Sequence, residues 1–177
     1  MNAVVIYRTK YGSTKTYAEW ISEELDCPVF DYKNISVSDL LNYDTIIYGG
    51  GLYAEVINGV HLLTKSLSRL AGKKIVVYST GITPLDCRDY YDKLVIEKNF
   101  KPDMLDQIKV FNFLGKMKLD ELSLVHRTAL KTLKKIMSGK TNPSEMEKLL
   151  IDLCDADGDF SDRAAIKELV DYVKNEG

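Results

Sequence analysis

Thr9, Ser13 and Thr14 place three hydroxyls in the turn formed by Thr9, Lys10, Tyr11, Gly12, Ser13 and Thr14. Hydroxyls at that density suit a phosphate, because each can donate a hydrogen bond and Gly12 lets the backbone come close to an anion. The helical pattern that starts near Thr14 would aim its unpaired N–H groups and the positive end of its dipole at the same point. Lys10 and Lys15 either add charge there or face solvent. Taken alone, the turn is equally an ordinary Ser/Thr-rich cap between a strand and a helix.

Other chemistries fail on spacing. The chain has neither a GxxxxGK[ST] phosphate loop nor a GxGxxG dinucleotide turn. Aligning Gly158 of DLCDADGDFSD with the glycine of a calcium loop puts Leu153 at the first ligand position and Ala164 at the bidentate one, so the ligand set fails. His61 and His126 fall on different helical patterns with no carboxylate or cysteine at ligand spacing, and both read as surface residues. Cys27, Cys87 and Cys154 are odd in number, lack zinc spacing and read as reduced thiols. No Ser-His-Asp arrangement is evident. A phosphorelay receiver needs an aspartate at the end of the third strand, where this chain has Tyr48, Gly49 and Gly50.

The elements that must position the turn follow from hydrophobic patterning. At 177 residues and 45% hydrophobic, the chain is expected to fold as one domain over 1–177. No apolar run approaches the ~20 residues of a membrane span. The N-terminus enters a strand without a basic stretch, so no secretory signal is expected and a cytoplasmic location is. A net charge of −2 argues against a general nucleic-acid binder. Short β-branched runs at 3–7, 29–32, 45–48, 74–78 and 108–113 alternate with helical patterns at 14–25, 59–70 and 87–99. A last helix is expected over 162–174, capped by Asp159 or Ser161. The predicted architecture is a three-layer α/β sandwich around a five-stranded parallel sheet of order 2-1-3-4-5. In such a sheet the ligand crevice opens at the carboxyl ends of the first and third strands, beside the hydroxyl turn.

Val5, Ile6, Tyr7, Thr9, Gly12, Thr14, Ala18 and Ile21 stand where the flavodoxin signature wants strand, hydroxyl, small residue, threonine and helix positions. The sequence resembles the flavodoxin family over most of its length. That resemblance implies FMN as cofactor, its phosphate cradled by the 9–14 turn. It also implies two loops around the flavin ring. One is Gly49-Gly50-Gly51-Leu52-Tyr53, in which a peptide at Gly50 and Gly51 reorients on reduction and Tyr53 is the candidate stacking ring. The other is Ser79 to Pro84, with Thr80, Gly81, Ile82 and Thr83 toward the pyrimidine edge and the second face.

Residues 115–158 exceed a simple connection. Within them, LDELSLVHRTALKTLKKIM places Leu122, Val125, Ala129, Leu133 and Ile136 on one helical stripe, with Arg127, Lys131, Lys134 and Lys135 off it. Between 115 and 140 there are seven basic residues and two acidic ones, a basic amphipathic helix. The insert is similar to that of the flavodoxin-like, menaquinone-dependent protoporphyrinogen oxidases. Two functions follow from the resemblance: an FMN electron carrier serving redox partner proteins, or an FMN-dependent dehydrogenase of that type passing electrons from a small molecule to a quinone. In the second, the helix at 119–140 is a candidate for peripheral contact with the inner membrane face or with porphyrin carboxylates.

Overall fold

The computed structural model describes residues 2–175. Five parallel strands, β1 (Ala3–Arg8), β2 (Val29–Asp31), β3 (Thr45–Tyr53), β5 (Lys74–Gly81) and β6 (Ile108–Leu114), form a sheet in the order β2-β1-β3-β5-β6. This is the expected 2-1-3-4-5 order once the short β4 (Val56–Ile57), which turns back antiparallel on the end of β3, is set aside. Because side chains alternate across a strand, each β-branched run feeds two cores. Val4, Ile6, Ile46, Tyr48, Ile75 and Val77 face one layer with Leu40, Leu63, Leu70 and Val95. Val5, Ile47, Val76, Tyr78, Phe111 and Phe113 face the other. That second layer is covered by α1 (Ser13–Leu25), through Tyr17, Ala18 and Ile21, and by α7 (Lys167–Asn175), through Leu169, Val170 and Val173.

Two sequence expectations needed correction within the sheet layers. The glycine triplet is not a loop: Gly49, Gly50 and Gly51 are strand, paired with β5 on one side, and Gly49 and Gly50 also with β1. They are glycines because neighbours press on them. A Cβ on Gly49 would stand 2.0 Å from the Tyr78 ring, and one on Gly50 would stand 2.7 Å from the Asn58 carbonyl oxygen. The helix expected over 59–70 is broken into α3 (His61–Thr64) and a 3-10 turn, Leu67–Leu70. Ser66 leaves helical geometry between them at φ −119° and ψ 6°. A short α2 (Val37–Leu40) carries the capping box of Ser36 and Asp39. The helix expected over 87–99 forms, wound as a π-helix at Tyr90–Val95 before α4 (Ile96–Asn99). The last helix begins as a 3-10 turn, Arg163–Ile166, and its cap is Asp162, which accepts from the Ala164 N–H. Asp159 instead accepts from the Ser161 N–H at 3.0 Å.

The insert is a helical hairpin held at its neck. β7 (Lys116–Met117) and β8 (Gly158–Asp159) pair antiparallel, so the chain leaves and re-enters the core at one place. Between them run α5 (Leu124–Ser138), capped by Ser123, and α6 (Glu145–Leu153), capped by a reciprocal Ser144–Glu147 box. Tyr17 ties this region to the sheet: its hydroxyl donates to the Leu114 carbonyl at 2.8 Å and accepts from the Asp162 N–H at 3.0 Å. Neither α5 nor α6 has a buried residue.

Candidate functional site

The 9–14 turn leaves the end of β1 beside the end of β3, the switch point of the sheet. Thr9 Oγ1 accepts from the Gly12 N–H at 2.9 Å and closes the turn. Gly12 sits at φ +96°, a conformation costly for any residue with a Cβ. It is also the residue that caps α1, and no side chain satisfies the helix N-terminus. The first-turn N–H groups of α1 therefore face the turn as unpaired donors carrying the positive end of the dipole.

The hydroxyls are held ready to donate. Ser13 Oγ accepts from the Lys116 N–H at 2.8 Å, and Thr14 Oγ1 shares a 2.8 Å hydrogen bond with Thr80 Oγ1. An oxygen that accepts keeps its own proton free, so Thr9 and Ser13 each retain a donor and the Thr14–Thr80 pair retains one between them. Lys116 adds charge: its Nζ lies 3.8 Å from where a Gly12 Cβ would stand. Uncapped N–H groups, three free hydroxyl protons and an ammonium within one turn fit a phosphate.

Beyond the turn, a cavity of about 700 Å³ opens along the ends of β3 and β5. Thr9, Tyr11, Ser13 and Thr14 line it, as do Gly51, Leu52 and Tyr53, and Thr80, Gly81, Ile82 and Thr83. Tyr53 is followed by Ala54 and Glu55 at φ +47° and +63°, which make the two-residue turn joining β3 to β4. Burial, and then the neighbouring Tyr11, push the Tyr53 hydroxyl up to about 12, so it stays protonated. Tyr91 donates to the Thr83 carbonyl at 2.6 Å and fixes the second loop.

Two residues expected in the site stand elsewhere, and a third, Gly12, stays in the turn without lining the cavity. Lys10 reaches away from the turn to Ser123 Oγ at 3.2 Å, on the hairpin. Gly50 lies under Ile57 and Asn58, and it and Gly51 pair with β5 in the sheet rather than forming the loop expected of the triplet. Lys15 pairs with Glu19 at 3.5 Å on the surface.

The hairpin supplies what the sequence reading missed. His126, expected at the surface, lines the cavity with its Nδ1 2.8 Å from the Tyr11 hydroxyl. Tyr11 also accepts from the Ser123 N–H at 3.3 Å, and one proton is shared between its hydroxyl and His126 Nδ1, an arrangement that either ring tautomer satisfies. Burial and Lys10 both hold the His126 imidazole below its ordinary pKa. The apolar stripe is displaced as well: Val125 and Ile136 are 75% and 60% exposed, while Ala129, Leu130, Leu133 and Met137 face the cavity. The signals for α6 were present in the sequence, in Ser144-x-x-Glu147 and in Met146, Leu149, Leu150 and Leu153 at helical spacing.

A family model described as a flavodoxin domain matches residues 4–144. The chain belongs to the flavodoxin family. FMN is the cofactor of that family, whose members carry electrons on it. Solved structures similar to this flavodoxin-family chain include a flavodoxin from the domain Archaea, 15% identical, covering 88% of this chain and 97% of that one at a TM-score of 0.45. Oxidised Flavodoxin 2 from Bacillus cereus is 16% identical, with coverage of 87% and 95% and a TM-score of 0.38. Two-electron reduced Megasphaera elsdenii flavodoxin is 14% identical, with coverage of 87% and 99% and a TM-score of 0.43. No curated protein sequence matches the chain.

Proposed function

We propose that this protein carries electrons on an FMN held in the cavity at the ends of β1, β3 and β5. The observation that supports this most is the uncapped α1 N-terminus, where the free hydroxyl protons of Thr9, Ser13 and the Thr14–Thr80 pair meet Lys116. These groups would bind the phosphate. Tyr53 and the 80–83 turn would bracket the flavin ring, and the protonated Tyr53 hydroxyl places no negative charge beside it. When bound, the flavin supplies one- and two-electron redox chemistry; the chain's residues bind, orient and shield it. Redox partner proteins or a small molecule would be the source and sink of the electrons. The purified protein is expected to show a flavin spectrum or to bind added FMN at micromolar concentration or below. A colourless protein that does not bind FMN in that range would overturn the reading.

A dehydrogenase is the second reading, favoured by one observation: the hairpin roofs the cavity and adds a wall that a carrier does not need. The finer assignment to the protoporphyrinogen oxidase type, with a quinone acceptor and a membrane-facing basic helix, gains no support from charge. The acidic residues of the α6 side offset the basic ones of α5, leaving eight basic against seven acidic residues over 115–158. Lys134 pairs with Asp155, Lys140 with Glu147, and Lys116 with Glu121. Among the described residues, no helix is long and apolar enough to cross a membrane.

A further inference from the structure

The cavity has two walls of different chemistry. The sheet loops give hydroxyls and backbone groups, whereas the hairpin gives Ala129, Leu130, Leu133, Met137, Leu150 and Leu153. Neither α5 nor α6 places an Asp, Glu, Lys or Arg in it, the charged lining residues being Lys116 at the neck and Glu55 on the sheet side; Arg127, Lys131 and Lys134 open instead on an adjoining recess of about 380 Å³, with Asp120 and Asp155. The apolar wall is not core, since neither helix buries a residue. A cavity of about 700 Å³ lies in the upper half of the ~300–1,000 Å³ range of small-molecule sites, so a nucleotide seated on the polar wall leaves the opposite one to be covered. The α6 half of that wall also lies beyond the span matched by the flavodoxin family model.

We propose that the hairpin wall binds an uncharged aromatic small molecule beside the cofactor. This rests on the cofactor reading above. A charged ligand on the α5–α6 wall would be desolvated against leucine and methionine, and the cavity's one ammonium, Lys116, lies at the phosphate turn, which argues for a neutral one. Tyr11, Tyr53 and His126 form a ledge where the two walls meet, with centroids 6.4 Å apart for Tyr11–Tyr53 and 5.2 Å for Tyr53–His126. All three rings line the cavity, where a flat aromatic ligand can meet them edge-to-face or offset, and Met137 adapts to its outline. Tyr11 occupies Nδ1 of His126, so Nε2 is the ring nitrogen left, as donor or acceptor, for a hydroxyl of the ligand.

The test is a titration of the FMN-loaded protein with 2-naphthol and with its anionic counterpart 2-naphthoate. Naphthol should bind and add a long-wavelength absorption band from contact with the flavin; naphthoate should bind at least about tenfold more weakly, as an unpaired buried charge demands. Leu133→Glu should weaken naphthol about tenfold, while Leu133→Met and the outer-face change Ile136→Glu leave it unchanged. FMN affinity should be the same in all three variants, which also shows that each one folds. FMN binding without naphthol binding, or equal naphthol binding by Leu133→Glu and Ile136→Glu, would overturn the proposal alone. Failure of the unaltered protein to bind FMN would overturn the cofactor reading and this inference with it.

Discussion

Thr14 has two duties, holding Thr80 and facing the phosphate turn, and a valine at that position removes both. Valine keeps the shape but removes the hydroxyl, costing the phosphate donor and leaving Thr80 without its 2.8 Å partner. A hydrogen bond to a charged group is worth ~1.5–3 kcal/mol, so Thr14→Val should weaken FMN by about 10- to 100-fold. Riboflavin, which lacks the phosphate, should lose little. An equal loss for both flavins would move the phosphate away from this turn. His126 gives a pH dependence. Its folded pKa lies below the ordinary value, so the folded protein binds fewer protons than the unfolded chain in the window between the two. The stability this group contributes is complete above the ordinary histidine pKa and is lost as pH falls through the lowered folded value, because protonation then charges a ring that burial and Lys10 keep neutral. The protection factors of the α5 amides, which correct for the intrinsic slowing of exchange in acid, should therefore fall on acidification in the unaltered protein, and His126→Gln should flatten that response. No difference between the two would remove the Tyr11–His126 bond from the account.

Among the elements, what could be read from sequence divides by the range of the interaction that decides it. The strands were legible because uninterrupted β-branched runs report burial on both faces, and the hydroxyl turn because its spacing is local. The glycine triplet was misread because glycine signals either freedom or crowding, and only Tyr78 and Asn58, brought in by the fold, show that here it means crowding. His126 was misplaced for the same reason: its partner Tyr11 is 115 residues away. Helix α6 was legible and overlooked, and its capping box is a direct target. Ser144→Ala should cost about 1 kcal/mol of local stability, visible as faster exchange in α6 with the sheet unchanged. Spread of that effect into β1 or β3 would mean that hairpin and sheet unfold together. The hairpin is joined by exposed ion pairs, Lys134–Asp155 and Lys140–Glu147. Salt near 1 M shortens the screening length to ~3 Å and should loosen α5 and α6 before the sheet responds.

For the molecule as a whole, the sheet and its two cores draw on the hairpin only through Met146, half-buried against the first core. Between 118 and 157 the buried residues are Leu122 and Cys154, and both line the cavity. Replacing 118–157 with Asn-Gly, a two-residue turn suited to the antiparallel β7–β8 pair, should leave a folded protein. Its unfolding midpoint should fall by about 5 °C or less, and it should still bind FMN, because the polar wall is intact apart from Tyr11's lost partners. Loss of cooperative unfolding in that variant would show that the hairpin is needed for the core. The β7–β8 clasp also has a consequence for grafting. Because the chain departs and returns through the same pair of residues, the segment between them can be exchanged without shifting the register of any strand in the sheet. A different roof can thus be grafted over the same cradle while the sheet beneath it keeps its register.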